Sequence, residues 1–273
     1  MNNHVVAFIM TVYSGDNCED FSSAVKSIKE QDYPLENIRL YLFVDGIVSE
    51  DIYCFIKSES FFYKVIYSEK NVGLACGLNV LIKSTENEEF IFRMDSDDVC
   101  SPSRVKKQVA AFQNTDVDIL GGAIQEFIGD KKIIFNRIYP TKHQDIRRVM
   151  CKASPFAHVT VAFRKSALEI LDAYPTEFGK NEDIAMWVKS LDYSLNYGNL
   201  TDVLVLVRMD NAYARRDISK LKGEIKLYSQ AMNKLNAPFS SRIHLIFRAL
   251  LRLSPSWLTK LMYTSHLRSI FTK

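Results

Sequence analysis

The chain has 273 residues, 47% hydrophobic and 25% charged, with a net charge of +3; this is an ordinary globular composition with room for one large α/β domain, or one domain with an appendage. Five scattered cysteines (Cys18, Cys54, Cys76, Cys100, Cys151) are odd in number and never spaced as metal pairs, which argues against a disulfide framework and for a reducing compartment. The modest net charge hides a segregation: from Arg215 onward there are twelve Lys or Arg against only Asp217 and Glu224, so the body is acidic and the tail is an expected interaction surface.

Residues 5–13 (VVAFIMTVY) read as a first buried strand, too short for a signal peptide or a membrane span. The strand breaks at Ser14-Gly15-Asp16, and Phe21, Ala24, Val25 and Ile28 then recur at helical spacing, with Asp16 and Glu19 as a helix-start pair. Residues 39–44 form a second strand ending at Asp45-Gly46. A short helix with Ile52, Phe55 and Ile56 on one face follows, then a third strand over 63–67. Asn71-Val72-Gly73 turns into a helix over 74–83. The fourth strand begins at Phe90 and runs straight into Asp95-Ser96-Asp97-Asp98; Pro102 is placed to open the next helix, which turns Val105, Val109 and Phe112 inward. Strands alternating with helices predict a parallel sheet covered on both faces, with ligands at the carboxyl ends of the strands. Tyr13, Asp45, Asn71 and the acids 95–98 all fall at those ends.

The second half changes character. It predicts a strand over 118–124, a hairpin over 126–135 turning at Gly129-Asp130, a helix over 141–152, a strand over 154–164 and a helix over 165–173. Beyond a loop, Glu182-Asp183 opens a helix bearing Ile184, Trp187, Val188 and Leu191, and residues 194–208 predict a strand pair. The basic tail reads as two or three helices. Its segment 243–253 is apolar almost all round with Arg242, Arg248 and Arg252 at the edge, and Trp257, Leu258, Leu261, Met262 and Leu267 resume after Pro255. This fits either an interfacial helix on anionic lipid or a helical lid over the sheet. No nucleic-acid-binding motif accompanies the basic charge.

Clustered carboxylates repel one another unless a cation shares them, and oxygen ligands of this type suit Mg²⁺ or Mn²⁺ completed by a substrate phosphate. Asp95 and Asp97 are two apart, so an extended chain points both the same way. The plainer alternative is a solvated turn with Asp98 or Ser101 capping the next helix.

Taken in order, several pieces resemble the glycosyltransferases of family 2, with the GT-A fold, and within them bacterial O-antigen and capsular polysaccharide enzymes. The pieces are the first strand, Ser27-Ile28-Lys29-Glu30-Gln31, Asp45-Gly46, Asn71-Val72-Gly73-Leu74-Ala75 with Leu78-Asn79, Arg93-Met94-Asp95-Ser96-Asp97-Asp98, Pro155-Phe156-Ala157-His158 and Asn181-Glu182-Asp183. The resemblance implies a GT-A domain over 1–213, with a nucleotide-binding half to about 115 and an acceptor half beyond, and a basic amphipathic helical tail over 214–273. It implies that Asp95 and Asp97 bind a divalent cation bridging the donor diphosphate, with Arg93 and Ser96 in the same donor loop. Thr11, Val12 and Tyr13 would pack around the nucleotide base, Asp45 would contact it, and Asn71 and Gly73 would face the nucleotide or donor sugar. Glu182-Asp183 matches the catalytic acid pair, with Asp183 as general base; on residue type alone the pair also suits a helix N-terminus. His158 is either a satisfied strand residue or a contact to the acceptor or diphosphate. Trp187 is either core or a platform for a sugar ring. Arg93 pairs either with the site's carboxylates or with a surface acid.

Two positions depart from the family pattern: Ile47 follows Asp45-Gly46 where many relatives carry Asp-Asp-Gly-Ser, and Ser14 stands where Asn is common. The Gln-x-x-Arg-Trp motif of processive synthases is absent, so one sugar per acceptor is expected. The implied reaction is an inverting, metal-dependent transfer from a UDP-sugar, UDP-glucose or UDP-galactose first, to a lipid-diphosphate-linked saccharide at the inner face of a bacterial membrane. The choice of sugar, acceptor hydroxyl and oligomeric state rests on contacts that no spacing rule specifies. Two alternatives are a sugar nucleotidyltransferase, disfavoured because no Gly-rich, Lys/Arg-containing loop follows the first strand, and a catalytically silent sugar-nucleotide-binding assembly subunit.

Overall fold

Alternate residues of the first strand leave for opposite sides of a central sheet. Val6, Phe8 and Met10 of β1 (Val6–Tyr13) join a core with Phe21, Ile52 and Val105, while Ala7 and Ile9 join another with Ala75 and Leu78. The structure, a computed structural model, describes residues 4–129, 132–210 and 219–253. β1, β2 (Ile38–Asp45), β3 (Phe62–Ser68) and β4 (Phe90–Met94) run parallel in the order β3-β2-β1-β4. Helices α1 (Cys18–Lys29), α2 (Glu50–Ser58) and α4 (Arg104–Asn114) supply the first core, and α3 (Leu74–Ser84) the second. Burial on both faces explains why β1, β2 and β4 are largely apolar runs rather than alternating ones, whereas β3, at the sheet edge, has no buried residue. The sheet is parallel over most of its paired residues and flanked by helices, the arrangement that the resemblance to the GT-A fold implies.

Beyond β4 the sheet becomes mixed. β8 (Ala162–Arg164) pairs antiparallel with β4 and with β6 (Ile119–Ile128); β9 (Tyr197–Arg208) runs parallel to β6; β5 (Val99–Cys100) pairs with β9, and β7 (Lys132–Arg137) with β6. Helices α5 (His143–Val149), α6 (Lys165–Leu171) and α7 (Glu182–Ser190) complete this half. Four sequence expectations are corrected here. The strand over 154–164 shrinks to β8, because Ser154 Oγ bonds Phe156 O and Thr160 Oγ1 bonds Ala157 O, a local alternative to the ladder that leaves a 3₁₀ turn at His158–Thr160. The strand expected over 118–124 and the first arm of the hairpin expected over 126–135 run on as one long β6; the second arm is β7, paired antiparallel with β6 as a hairpin requires, and the turn position Asp130 lies outside the described residues. The pair expected over 194–208 is one strand whose register shifts opposite Gly122 and Ala123. Pro102 does not open α4; Ser103 precedes the helix, and Pro102 O accepts Asp32 N at 2.7 Å in the turn before it.

The basic tail divides. α8 (Ser219–Lys234) packs on α7, with Leu227, Tyr228, Ala231 and Met232 against Ile184, Ala185 and Val188. α9 (Ser240–Leu253) follows, turning Leu245 toward this cluster while Phe239, just before it, Ile243 and Ile246 stay exposed. No helix of the described residues is long and apolar enough to cross a membrane. The expected boundary near 213 and the apolar positions 257–267 lie outside the described residues.

Candidate active site

Four strand ends form one rim. After β1, Asn17 caps α1 by accepting Glu19 N and Asp20 N, which displaces the expected Asp16 start pair. Asp16 instead accepts Tyr13 N at 2.9 Å and Ser96 Oγ at 3.0 Å, tying the β1 loop to the acids after β4. Burial, with added repulsion from Asp97 and Asp95, outweighs these bonds and lifts its pKa to about 6. After β2, Asp45 is buried and accepts Val72 N at 2.6 Å and Gly73 N at 2.9 Å. Its carboxylate thus builds the 71–73 loop that opens α3. Gly46 must be glycine: its φ is +86°, and a Cβ there would stand 2.8 Å from Asn71 N. Thr11 is half-buried against α3, Val12 lies in the core and brings no side chain to the rim, and Tyr13 is exposed on it.

After β4 the chain bends rather than continuing extended, and this bend brings Asp95, Asp97 and Asp98 together, with one carboxylate oxygen of each within 4.8 Å of the others. Three hard oxygen donors this close fit Mg²⁺ or Mn²⁺, with Asp95 and Asp97 the residues that would hold it. Asp98 is the buried member. It accepts Arg208 N at 2.8 Å and so braces the loop rather than capping α4, and burial plus the charges of Asp95 and Asp97 push its carboxyl well above the usual range.

Two buried arginines hold this loop. Arg93 forks onto both oxygens of Asp95, which decides between the two pairings open to it in the sequence. Arg104, fully buried against the paired rings of Phe8 and Phe92, donates to Arg93 O at 2.8 Å, to Met94 Sδ and Cys100 Sγ at 3.3 Å, and to Gln108 Oε1 at 3.0 Å. A third, Arg208 at the end of β9, reaches Asp20 Oδ1 at 2.7 Å, Asp97 O at 3.3 Å and Asp210 Oδ2 at 3.3 Å. Asp16 reads in the sequence only as a helix-start residue, and Arg104 and Arg208 are not singled out there. Asp16 had a usable signal, an acid just past a strand end; Arg208 had none, lying 110 residues from its partner Asp98.

Glu182 and Asp183 start α7, both half-buried. Burial first, then the charge of Asp183, pushes Glu182 up to about 7, against the pull of Arg93 and Lys220. Asp183 is raised by burial, partly offset by the Ile184 amide, Lys220 and Arg93. Arg93 therefore acts on Asp95 and on Glu182, joining the acid loop and the α7 acids in one electrostatic cluster. His158 belongs to it as well: its Nε2 is 2.9 Å from the Tyr174 hydroxyl, and burial with Arg93 nearby drives its pKa well down, leaving the ring neutral. Trp187 does not present a platform. It is 1% exposed, its Nε1 donates to Ser154 Oγ, and its ring packs on Phe156, Phe163 and His158.

The family sequence model described as glycosyl transferase family 2 matches residues 8–171. An uncharacterized glycosyltransferase of Haemophilus influenzae is 31% identical over 270 residues, covering 95% of this chain and 98% of that protein. The Escherichia coli UDP-Gal:α-D-GlcNAc-diphosphoundecaprenol β-1,3-galactosyltransferase is 29% identical over 232 residues, 81% of this chain and 82% of that one. Among solved structures, a mannosyltransferase from Pyrobaculum calidifontis in complex with GDP-Man and Mn²⁺ superposes with a TM-score of 0.62 at 15% identity, covering 99% of this chain and 86% of that one. With more than half of its length matched by the family and a relative aligned almost end to end, the chain belongs to glycosyl transferase family 2.

Proposed function

We propose that this glycosyltransferase moves one sugar from a UDP-sugar, UDP-galactose or UDP-glucose first, to a saccharide carried on a lipid diphosphate, with inversion to a β-linkage, in bacterial surface polysaccharide synthesis. The observation that carries the reading is the gathering of the Asp95, Asp97 and Asp98 carboxylates in one bend with buried Arg93 forked onto Asp95, in electrostatic reach of Glu182 at the start of α7. The similarity to the Escherichia coli galactosyltransferase supports the donor and acceptor class. The acceptor hydroxyl attacks the anomeric carbon in line, the bond from that carbon to the diphosphate oxygen breaks, UDP leaves, and Asp183 takes the hydroxyl proton. A carboxylate whose proton affinity is raised by burial is the better base for that step. A divalent cation held by Asp95 and Asp97 would supply neutralisation of the charge developing on the leaving diphosphate. Arg93 keeps Asp95 oriented, Asp45 keeps the 71–73 loop closed, and Arg208 and Arg104 keep the acid loop bent.

For the tail we read α8, packed on α7, as a helical lid, and α9 as the membrane contact. Phe239, Ile243 and Ile246 are 75%, 59% and 62% exposed beside exposed Arg242, a pattern suited to an anionic lipid surface. Binding to phosphatidylglycerol vesicles, lost on replacing the three apolar residues with Ser and in neutral vesicles, is the expected result; equal binding by the triple variant contradicts it. The reaction is tested by UDP release from a donor panel with a GlcNAc-diphosphate-alkyl acceptor, in Mn²⁺ and in EDTA. Acceptor-dependent release from one UDP-sugar, abolished by EDTA, is expected. Failure to bind UDP overturns the donor assignment.

A further inference from the structure

Asn79 belongs to the motif set in the sequence, yet it takes no part in the donor rim. Its amide makes a two-way clamp on a single distant backbone position: Nδ2 donates to Tyr174 O at 2.9 Å, and Oδ1 accepts from Tyr174 N at 2.7 Å. The corner so clamped is strained. Asp172 ends α6 at φ +47°, and Ala173 follows at φ +87°, a region that costs any residue with a Cβ. From α7, Lys189 Nζ donates to Ala173 O at 3.1 Å and reaches Asp172 O at 3.5 Å. Three helices therefore converge on holding two residues where they do not prefer to be. Strain of this kind persists only when its surroundings over-determine it, and it marks a position being delivered to a site.

What the corner delivers is Tyr174. Its ring is 2% exposed beside Phe163, and its hydroxyl meets His158 Nε2. The hydroxyl is also near enough to Arg93, Glu182 and Asp183 to feel all three charges. A neutral imidazole carries one N–H and one lone pair, and the partner on one nitrogen decides which role the other plays.

We propose that Tyr174 is a positioning residue for the acceptor side of the site: the strained Asp172–Ala173 corner, clamped by Asn79 and Lys189, fixes its hydroxyl on His158 beside Glu182-Asp183, so that the imidazole meets the acceptor in one orientation and one tautomer. The inference rests on the reading of Asp183 as the base. It adds a second set of residues, 79, 158, 172–174 and 189, whose task is to hold the acceptor side rather than the donor rim.

The test uses the full chain with the GlcNAc-diphosphate-alkyl acceptor and the UDP-sugar that supports release. Tyr174→Phe keeps the ring and removes the hydroxyl. The acceptor KM is expected to rise about fivefold, the worth of one neutral hydrogen bond, with the donor KM unchanged and the melting temperature held. Ala173→Gly relieves the corner and is expected to raise the melting temperature by roughly 2 °C. ¹⁵N spectra of His158, which need no acceptor, are expected to show one tautomer in the wild type and a mixture in Tyr174→Phe. A wild-type acceptor KM in Tyr174→Phe, an equal rise in both KM values, an unaltered His158 tautomer or a lower melting temperature for Ala173→Gly overturns the proposal. If the wild type transfers nothing while the His158 tautomer still responds to Tyr174→Phe, the reading of Asp183 fails and the positioning of His158 stands.

Discussion

Asp95 is pulled from one side by a guanidinium and, on our account, from the other by a metal–diphosphate. Arg93 already takes one lone pair from each of its oxygens, so the fork fixes the direction in which the remaining ones point. Arg104 contributes differently. Its partners, Arg93, Met94 and Cys100, flank the acids at both ends, so one buried group pins the whole bend. Arg104→Lys keeps the charge but loses the fork, and orphans at least one buried acceptor. We expect a loss of about 2 kcal/mol, read as a fall of roughly 6 °C in melting temperature, with weaker Mn²⁺-supported UDP binding by calorimetry; an unchanged bend would show as wild-type values for both. Asp97→Asn, which leaves Arg93 and Arg104 in place, is expected to lower metal-stimulated turnover at least about a hundredfold while the melting temperature without metal stays the same or rises, because one repelling charge is gone.

At the scale of elements, α8 packs on the helix that begins with Glu182 and Asp183. Gly223 meets the 3₁₀ turn before α7 so closely that a Cβ would lie 2.5 Å from Asn181 Nδ2, and that amide donates to Lys220 O at 3.1 Å. Gly223→Ala must push α8 off this turn, and a loss of about 1–3 kcal/mol in stability with a lower kcat is expected in thermal melts and initial rates. Lys220 favours the ionised forms of both Glu182 and Asp183. The base must be ionised to act, so kcat/KM rises with pH through their range, Glu182 at about 7. Removing the cation in Lys220→Gln raises both proton affinities, and the acid limb of the pH profile moves to higher pH; a shift to lower pH contradicts this arrangement. The alternating first half was legible because β1, β2 and β4 are mostly apolar runs that end at turn or acidic residues. The second half was not, since Thr160 and Ser154 divert the backbone locally and β9 pairs with strands far away in sequence.

Across the whole molecule, the acidic body and basic tail meet at α7 and α8, where Lys220 stands over the α7 acids. The acid loop, the 71–73 turn and the α7 acids were readable as short motifs, because each is a local chemical signal at the end of a strand or the start of a helix. Arg208, Arg104 and Tyr174 were not, because their meaning lies in contacts made across the sheet. The central claim is that Asp183 removes the acceptor proton at a donor site built by residues of the other half. A single-turnover transfer assay on Asp183→Asn, run beside calorimetric binding of the UDP-sugar with Mn²⁺, separates these parts. We predict transfer slowed by about a thousandfold or more with donor affinity within a factor of about two. Transfer at the wild-type rate, or loss of donor binding in step with transfer, would contradict the account.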